Sequence, residues 1–224
     1  KIRDITEEDK GIYHCTVNTS PIKHKVVTLH VKVPARINHE TSSNDTTIRE
    51  GDTTSLFCNA TGTPEPQIKW KFIPSDPAKR GQTINSTGSM LIISNATRDL
   101  DGKYECTAEN LPNSQAVKRI KLTVQFPPEI FLSTKKLGQT IGRETILECK
   151  VRANPHLMNV WMKVGNGTTI TPTDRLKVDI FQQSGPEILL SLRIRDLKQT
   201  DYGPYDCIAE NNLGIANDTM ILYG

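Results

Sequence analysis

The side chains best suited to covalent chemistry are five cysteines, Cys15, Cys58, Cys106, Cys149 and Cys207. None forms a C-x-x-C pair, and no histidine stands at a spacing that would complete a zinc site, so redox and metal readings have no support. The cysteines are far apart and lie in similar local contexts, a pattern that suits long-range disulfides made in an oxidising compartment. The second chemistry is N-glycosylation. Asn18, Asn44, Asn59, Asn85, Asn95, Asn166 and Asn217 each begin Asn-x-Ser/Thr with x not proline. Catalytic constellations are missing: there is no Gly-rich phosphate loop, no Gly-x-Ser-x-Gly elbow and no His-Glu-x-x-His. His14, His24, His30, His39 and His156 are scattered and read as surface residues. Glu7-Glu8-Asp9 and Asp99 with Asp101 read as solvated turns rather than calcium or acid–base sites. No enzyme activity, cofactor or metal is expected.

At 224 residues, with 36% hydrophobic and 24% charged residues, the chain reads as globular and suits two to three domains. A net charge of +3 argues against a nucleic-acid binder. No apolar run approaches the ~18–20 residues of a membrane helix. The opening Lys1-Ile2-Arg3-Asp4 has no signal-peptide core, so any leader or anchor is expected outside residues 1–224. Two basic stretches, Lys23-His24-Lys25 and Lys118-Arg119-x-Lys121, could meet heparan sulfate. The preferred reading is that Arg119 and Lys121 keep a sheet surface or edge charged.

Internal repeats organise these residues. Gly-x-Tyr-x-Cys occurs three times, ending at Cys15, Cys106 and Cys207. Asp9 and Asp201 precede the first and third copies, while Leu100 replaces the acid in the second. Upstream of the last two lie Leu56-x-Cys58-x-Ala60 and Leu147-x-Cys149-x-Val151, whose period-2 alternation marks strands with one buried face. Trp70 and Trp161 each follow their cysteine by twelve residues. The order Cys, Trp, Tyr-x-Cys is the immunoglobulin hallmark, with the indole packed on the inter-sheet disulfide and the tyrosine bonding back to the backbone. The expected fold is therefore all-β: tandem immunoglobulin-like sandwiches of the short, intermediate-set type. Cys58 pairs with Cys106 and Cys149 with Cys207, closing loops worth on the order of 4 kcal/mol each. Trp70, Tyr104, Trp161 and Tyr205 are core residues.

The expected domains are residues 34–125 and 126–224, preceded at 1–33 by strands E to G of a truncated first domain in which Lys1 falls in strand E. Cys15 then pairs with a cysteine absent from this chain; a free thiol or an intermolecular bridge is the alternative. Both junctions are short and contain proline, which favours a stiff rod. After strand F, Asn113 takes the turn position that Gly214 holds in the next copy, since asparagine tolerates positive φ.

One family is resembled closely. Asp9 to Ile22 followed by Val33-Pro34-Ala35-Arg36-Ile37, the run Cys58-Asn59-Ala60-Thr61-Gly62-x-Pro64-Glu65-Pro66-x-Ile68-x-Trp70, and Tyr205-x-Cys207-x-Ala209-x-Asn211-x-Leu213-Gly214 look like the lachesin, IgLON and Dpr-interacting proteins, in an invertebrate-type member. The resemblance implies a three-domain neuronal or epithelial adhesion protein, outside the cell and tethered to the plasma membrane. Its first domain would bind like or related immunoglobulin domains, homophilically or heterophilically, through a C-F-G sheet face. Alternation places His14, Thr16 and Asn18 outward on that face, with Pro21 and Ile22 on the adjoining loop. A glycan on Asn18 conflicts with that pairing. The alternatives are the ectodomain of a receptor kinase or phosphatase and a secreted heparin- or matrix-binding protein.

Overall fold

The computed structural model describes residues 2–75, 80–165 and 167–224, so Asn166 lies outside the described residues, as does the side chain of Asn85. Single-turn 3-10 helices at Glu7–Asp9, Arg98–Leu100 and Gln199–Asp201 mark the entry to the three Gly-x-Tyr-x-Cys strands.

The first unit is an antiparallel hairpin of β1 (Gly11–Val17) and β2 (Lys23–Leu29), with Tyr13 opposite Val27 and Cys15 opposite Lys25. The expected strand E does not form, and residues 2–6 are irregular. A strand needs a ladder partner for its backbone, and this chain holds no strand B for that unit. Ile2 and Ile5 are accordingly exposed.

The second unit comprises β3 (Val33–Asn38), β4 (Thr46–Arg49), β5 (Thr54–Phe57), β6 (Asn59–Thr63), β7 (Gln67–Pro74), β8 (Gln82–Thr87), β9 (Met90–Ile93), β10 (Gly102–Leu111) and the start of β11 (Ser114–Phe131). Val33 opens β3 and pairs with Thr63, so this unit starts one residue earlier than expected. β5 and β6 form one strand interrupted at Cys58, flanked by β9 on one side and β3 on the other. The facing sheet runs β4-β11-β10-β7-β8. Between them lie the Cys58–Cys106 disulfide, Trp70, Tyr104, Leu56, Ile120 and Leu122.

The third unit adds β12 (Lys136–Gly138), β13 (Thr145–Asn154), β14 (Met158–Lys163), β15 (Thr168–Thr169), β16 (Leu176–Gln182), β17 (Glu187–Ile194), β18 (Gly203–Asn211) and β19 (Gly214–Tyr223). Its sheets are β11-β13-β17-β16 and β12-β19-β18-β14-β15, closed over Cys149–Cys207 and Trp161. β13 shows why the register holds. Leu147, Cys149, Val151 and Ala153 are buried while Glu148, Lys150 and Arg152 face water. A one-residue slip would exchange the two sets, giving up about 2–3 kcal/mol for Leu147 alone.

The boundary drawn between residues 125 and 126 falls inside a strand. β11 is 18 residues long; it pairs with β10 as far as Leu122 and with β13 from Phe126 onward. At ~3.3 Å per residue it spans roughly 60 Å. Pro127 and Pro128 sit at an irregularity in this ladder, where their missing N–H groups are tolerated. Asn113 has φ 61, as expected for its turn, whereas Gly214 lies outside the left-handed region. A Cβ there would stand 3.2 Å from Pro127, so close approach rather than turn geometry favours glycine.

Candidate recognition surface and the joints that carry it

Each tyrosine corner closes on the backbone four residues upstream: Tyr13 Oη donates to Asp9 O (2.8 Å), Tyr104 to Leu100 O (3.1 Å) and Tyr205 to Asp201 O (2.6 Å). Burial pushes the Tyr104 and Tyr205 phenols up to about 12. The acid of the motif caps its helix. Asp9 accepts from Thr6 N at 2.7 Å, and Asp201 accepts from Lys198 N at 2.8 Å. Asp201 also accepts from both terminal guanidinium nitrogens of Arg175, Nη1 and Nη2, at 3.0 and 3.2 Å. Burial raises the Asp201 carboxyl, but its bonds to Arg175 and the Lys198 N–H prevail and hold it below its ordinary value. Where Leu100 replaces the acid, Asp101 does different work, accepting from Val124 N (2.9 Å) and Ser75 Oγ (2.6 Å).

Two asparagines fasten the entry strands of the second and third units and Arg98 joins those two units, roles that the sequence reading did not assign. Asn110 Nδ2 donates to Val33 O and Pro64 O, both at 2.8 Å, while its Oδ1 accepts from Ala35 N at 3.0 Å. One repeat later, Asn211 Nδ2 donates to Phe126 O (2.9 Å) and Pro155 O (3.1 Å). Each asparagine thus ties its own strand F to the entry strand and to the proline six residues past the strand-B cysteine. The available signal was the repeated Ala-x-Asn at Ala108 and Ala209. Arg98 bridges the second joint: it holds Glu50 through Nε and Nη2 (3.0 and 2.7 Å) and Glu129 through Nη1 (2.7 Å). Its guanidinium lies 4.1 Å from the Phe126 ring centre. In the corresponding helix of the first unit, Glu7 accepts from Thr63 Oγ1 at 2.8 Å.

The proposed contact residues His14, Thr16, Asn18, Pro21 and Ile22 are all exposed. Register puts His14 opposite Val26, Thr16 opposite His24 and Ile12 opposite Thr28 on one face. Ile12 (64% exposed), Val26 (48%) and Ile22 (66%) give that region an apolar character. Ile12 shares the parity of His14 and Thr16 and was passed over, whereas Val26 was missed because its place on the face depends on the hairpin register. Tyr13, Cys15, Val17 and Val27 form the opposite face, which no other strand covers among the described residues; Cys15 is unpaired and exposed.

Corresponding outer faces in the other units differ. In the second, charges pair across the strands, Lys69 with Glu109 (3.0 Å) and Arg119 with Glu105 (2.8 Å). In the third, the sequon residue Asn217 stands directly across from Ile208, whose other neighbour is Val160. The basic stretches do not form patches. Lys118 is buried and donates to His39 O and Ser42 O, both at 3.1 Å, and Lys23 and Lys25 lie on the opposite hairpin face from His24. Asn18, Asn44, Asn59, Asn95 and Asn217 are all exposed.

Fold, disulfides and joints together define a tandem of immunoglobulin-superfamily domains. The immunoglobulin domain model matches residues 36–110 and the immunoglobulin I-set domain model matches residues 128–223. Over the whole chain it is 33% identical to limbic system-associated membrane protein of Rattus norvegicus and 30% identical to lachesin of Schistocerca americana, covering 62% and 63% of those proteins. A chain in the crystal structure of Dpr2 Ig1-Ig2 in complex with DIP-Theta Ig1-Ig3 matches with a TM-score of 0.85 and 37% identity, over 99% of this chain and 75% of that one. This chain belongs to the lachesin, IgLON and Dpr-interacting protein family of immunoglobulin cell-surface proteins. It spans about three-fifths of the length of these curated relatives.

Proposed function

We propose that the protein is an adhesion and recognition molecule that binds like or related immunoglobulin domains on an opposing cell, through the outer face of the first unit's hairpin. One observation carries this reading: Ile12 and Val26 are exposed beside His14 and Thr16, while charges pair across the matching second-unit face. An apolar strip with polar neighbours is the anatomy of a protein contact. The matching crystal structure, of Dpr2 in complex with DIP-Theta, supports a partner of the same superfamily. Pro21 and Ile22 extend the strip into the loop, and Asn18 borders it, so a glycan there sits at the rim. The exposed sequons are glycan sites, Cys15 pairs with a strand-B cysteine of a complete first domain, and a segment outside residues 1–224 holds the protein at the membrane.

The second and third units then act as a spacer. Continuous β11, the Arg98 contact between the second and third units and the Glu7–Thr63 bond between the first and second hold the binding face at a set distance and direction from the membrane. Surface plasmon resonance and sedimentation of the complete ectodomain test the interface. Val26→Asp and Ile22→Asp each place an unpaired charge in the strip and are expected to weaken self-association or partner binding at least tenfold. Lys103→Glu, on the second unit, leaves binding unchanged. Equal affinity of all three variants removes the assignment.

A further inference from the structure

A second exposed apolar cluster lies on the outer face of the sheet formed by β3, β5, β6 and β9. Phe57, Met90 and Ile92 are 46%, 46% and 55% exposed. Phe57 stands directly across from Met90, and Ile92 across from Ser55. The intervening Leu56, Leu91 and Ile93 point into the core, which places the three exposed residues on one face. β9 is also a sheet edge, paired only with β5 among the described residues. An edge strand bearing exposed apolar side chains invites pairing with another chain unless something blocks it.

The same face carries Asn59. Cys58 is buried, so Phe57 and Asn59 both face outward, as residues i and i+2 roughly 7 Å apart along the strand. Asn59-Ala60-Thr61 is a sequon, and it alone of the seven has an aromatic residue two positions before the asparagine. Asn59 Nδ2 donates one hydrogen bond, to Thr41 Oγ1 at 3.0 Å, which leaves its other N–H free.

We propose that an N-glycan on Asn59 folds over Phe57, and that the Phe57–Met90–Ile92 face is built to be covered by the protein's own carbohydrate. In the transfer, Asn59 Nδ2 bonds to the anomeric carbon of N-acetylglucosamine. An Nδ2 proton leaves, as does the pyrophosphate of a lipid-linked oligosaccharide donor. The remaining N–H keeps its bond to Thr41, which restrains the first sugar against the sheet. That sugar lays its C–H face on the Phe57 ring and turns its hydroxyls to water, removing apolar surface from solvent without closing the core. Later sugars lie beside β9 and exclude a second chain from its edge. The inference is independent of the recognition reading, which concerns the first unit.

The test uses the complete ectodomain secreted from eukaryotic cells. Glycopeptide mass spectrometry reads occupancy of Asn59, expected to be high. Two routes then remove the glycan, Thr61→Ala and Asn59→Gln, each made with Phe57 intact and with Phe57→Thr. With Phe57 intact, both routes lower the second unit's Tm by roughly 4 °C and raise binding of an apolar dye severalfold. With Phe57→Thr, loss of the glycan changes neither by much. Trimming to the first N-acetylglucosamine retains the Tm gain. An unoccupied Asn59, or an equal Tm change in the two Phe57 backgrounds, overturns the proposal.

Discussion

Replacing Arg98 by alanine removes the guanidinium that joins Glu50, Glu129 and Phe126 across the second joint. Exposed ion pairs are worth about 0.2–1 kcal/mol, and two-pronged arginine–carboxylate contacts lie at the upper end. Here Arg98 is 21% and Glu50 31% exposed, so we assign that contact about 1 kcal/mol. Stacking on Phe126 adds about 0.5–1 kcal/mol. Glu129, 41% exposed, adds only a few tenths. The expected loss is about 2 kcal/mol, equivalent to a fall of about 10 °C in the second unit's Tm. Arg98→Lys keeps the charge but loses the fork and the stacking surface, and recovers less than half. Calorimetry of the ectodomain measures both.

The pH dependence separates the ion pair from packing. The hydrogen bond from Arg98 is the main force holding the Glu50 carboxyl below its ordinary 4.5. Because this folded-state value is depressed, the stabilisation is fully present above the unfolded value and disappears as pH falls through the folded one. Arg98 itself stays charged throughout. The gap between wild type and Arg98→Ala therefore narrows as pH is lowered from 4.5, leaving the stacking part. A loss below about 0.5 kcal/mol at neutral pH, or a gap that does not change in acid, would falsify this account of the joint.

Two further predictions concern the third unit. Asn211→Ala leaves the carbonyls of Phe126 and Pro155 without their donor, costing about 2–3 kcal/mol; hydrogen exchange should quicken at Phe126–Phe131 and not at Gly102–Leu111, and uniform quickening would refute the local role. The Asp201 carboxyl is also held low, so its pair with Arg175 contributes above the unfolded aspartate value of 3.8 and is lost as pH falls below it. Arg175→Met is accordingly expected to lower the third unit's urea midpoint at neutral pH and to approach wild type in strong acid, a residual gap remaining from the bonds of Arg175 to the Arg195 and Asp196 carbonyls; parallel curves across the range would count against it.

Much of the architecture is legible in short stretches of sequence. Alternation in Leu147-x-Cys149-x-Val151 sets which side of a strand is buried, because the side-chain period is two and depends on neighbours alone. Equal Cys-to-Trp offsets and the recurring Gly-x-Tyr-x-Cys then identify the fold and its two disulfides, both present in the structure. Strand E of the first unit was read where none forms, since alternation reports a face but not whether a ladder partner exists. The partners of Lys118 show the same limit: strand parity turns it inward, but the carbonyls of His39 and Ser42 that receive it lie 79 and 76 residues away.

The cysteines, the sequons and the side of each strand that faces inward are properties of the sequence by itself, because each is local chemistry or a short period. The joints and the fastening of the entry strands were decided only by tertiary structure. Asn110 reaches back 77 residues to Val33, and Asn211 reaches back 85 to Phe126. Arg98 selects Glu50 and Glu129 from 25 acidic residues by position alone. The apolar strip of Ile12 and Val26, and the meeting of Phe57 with Met90 beside Asn59, likewise required the register of paired strands. Contacts of that range carry no local periodicity; they exist only once folding has brought distant backbones to within a hydrogen bond of one another.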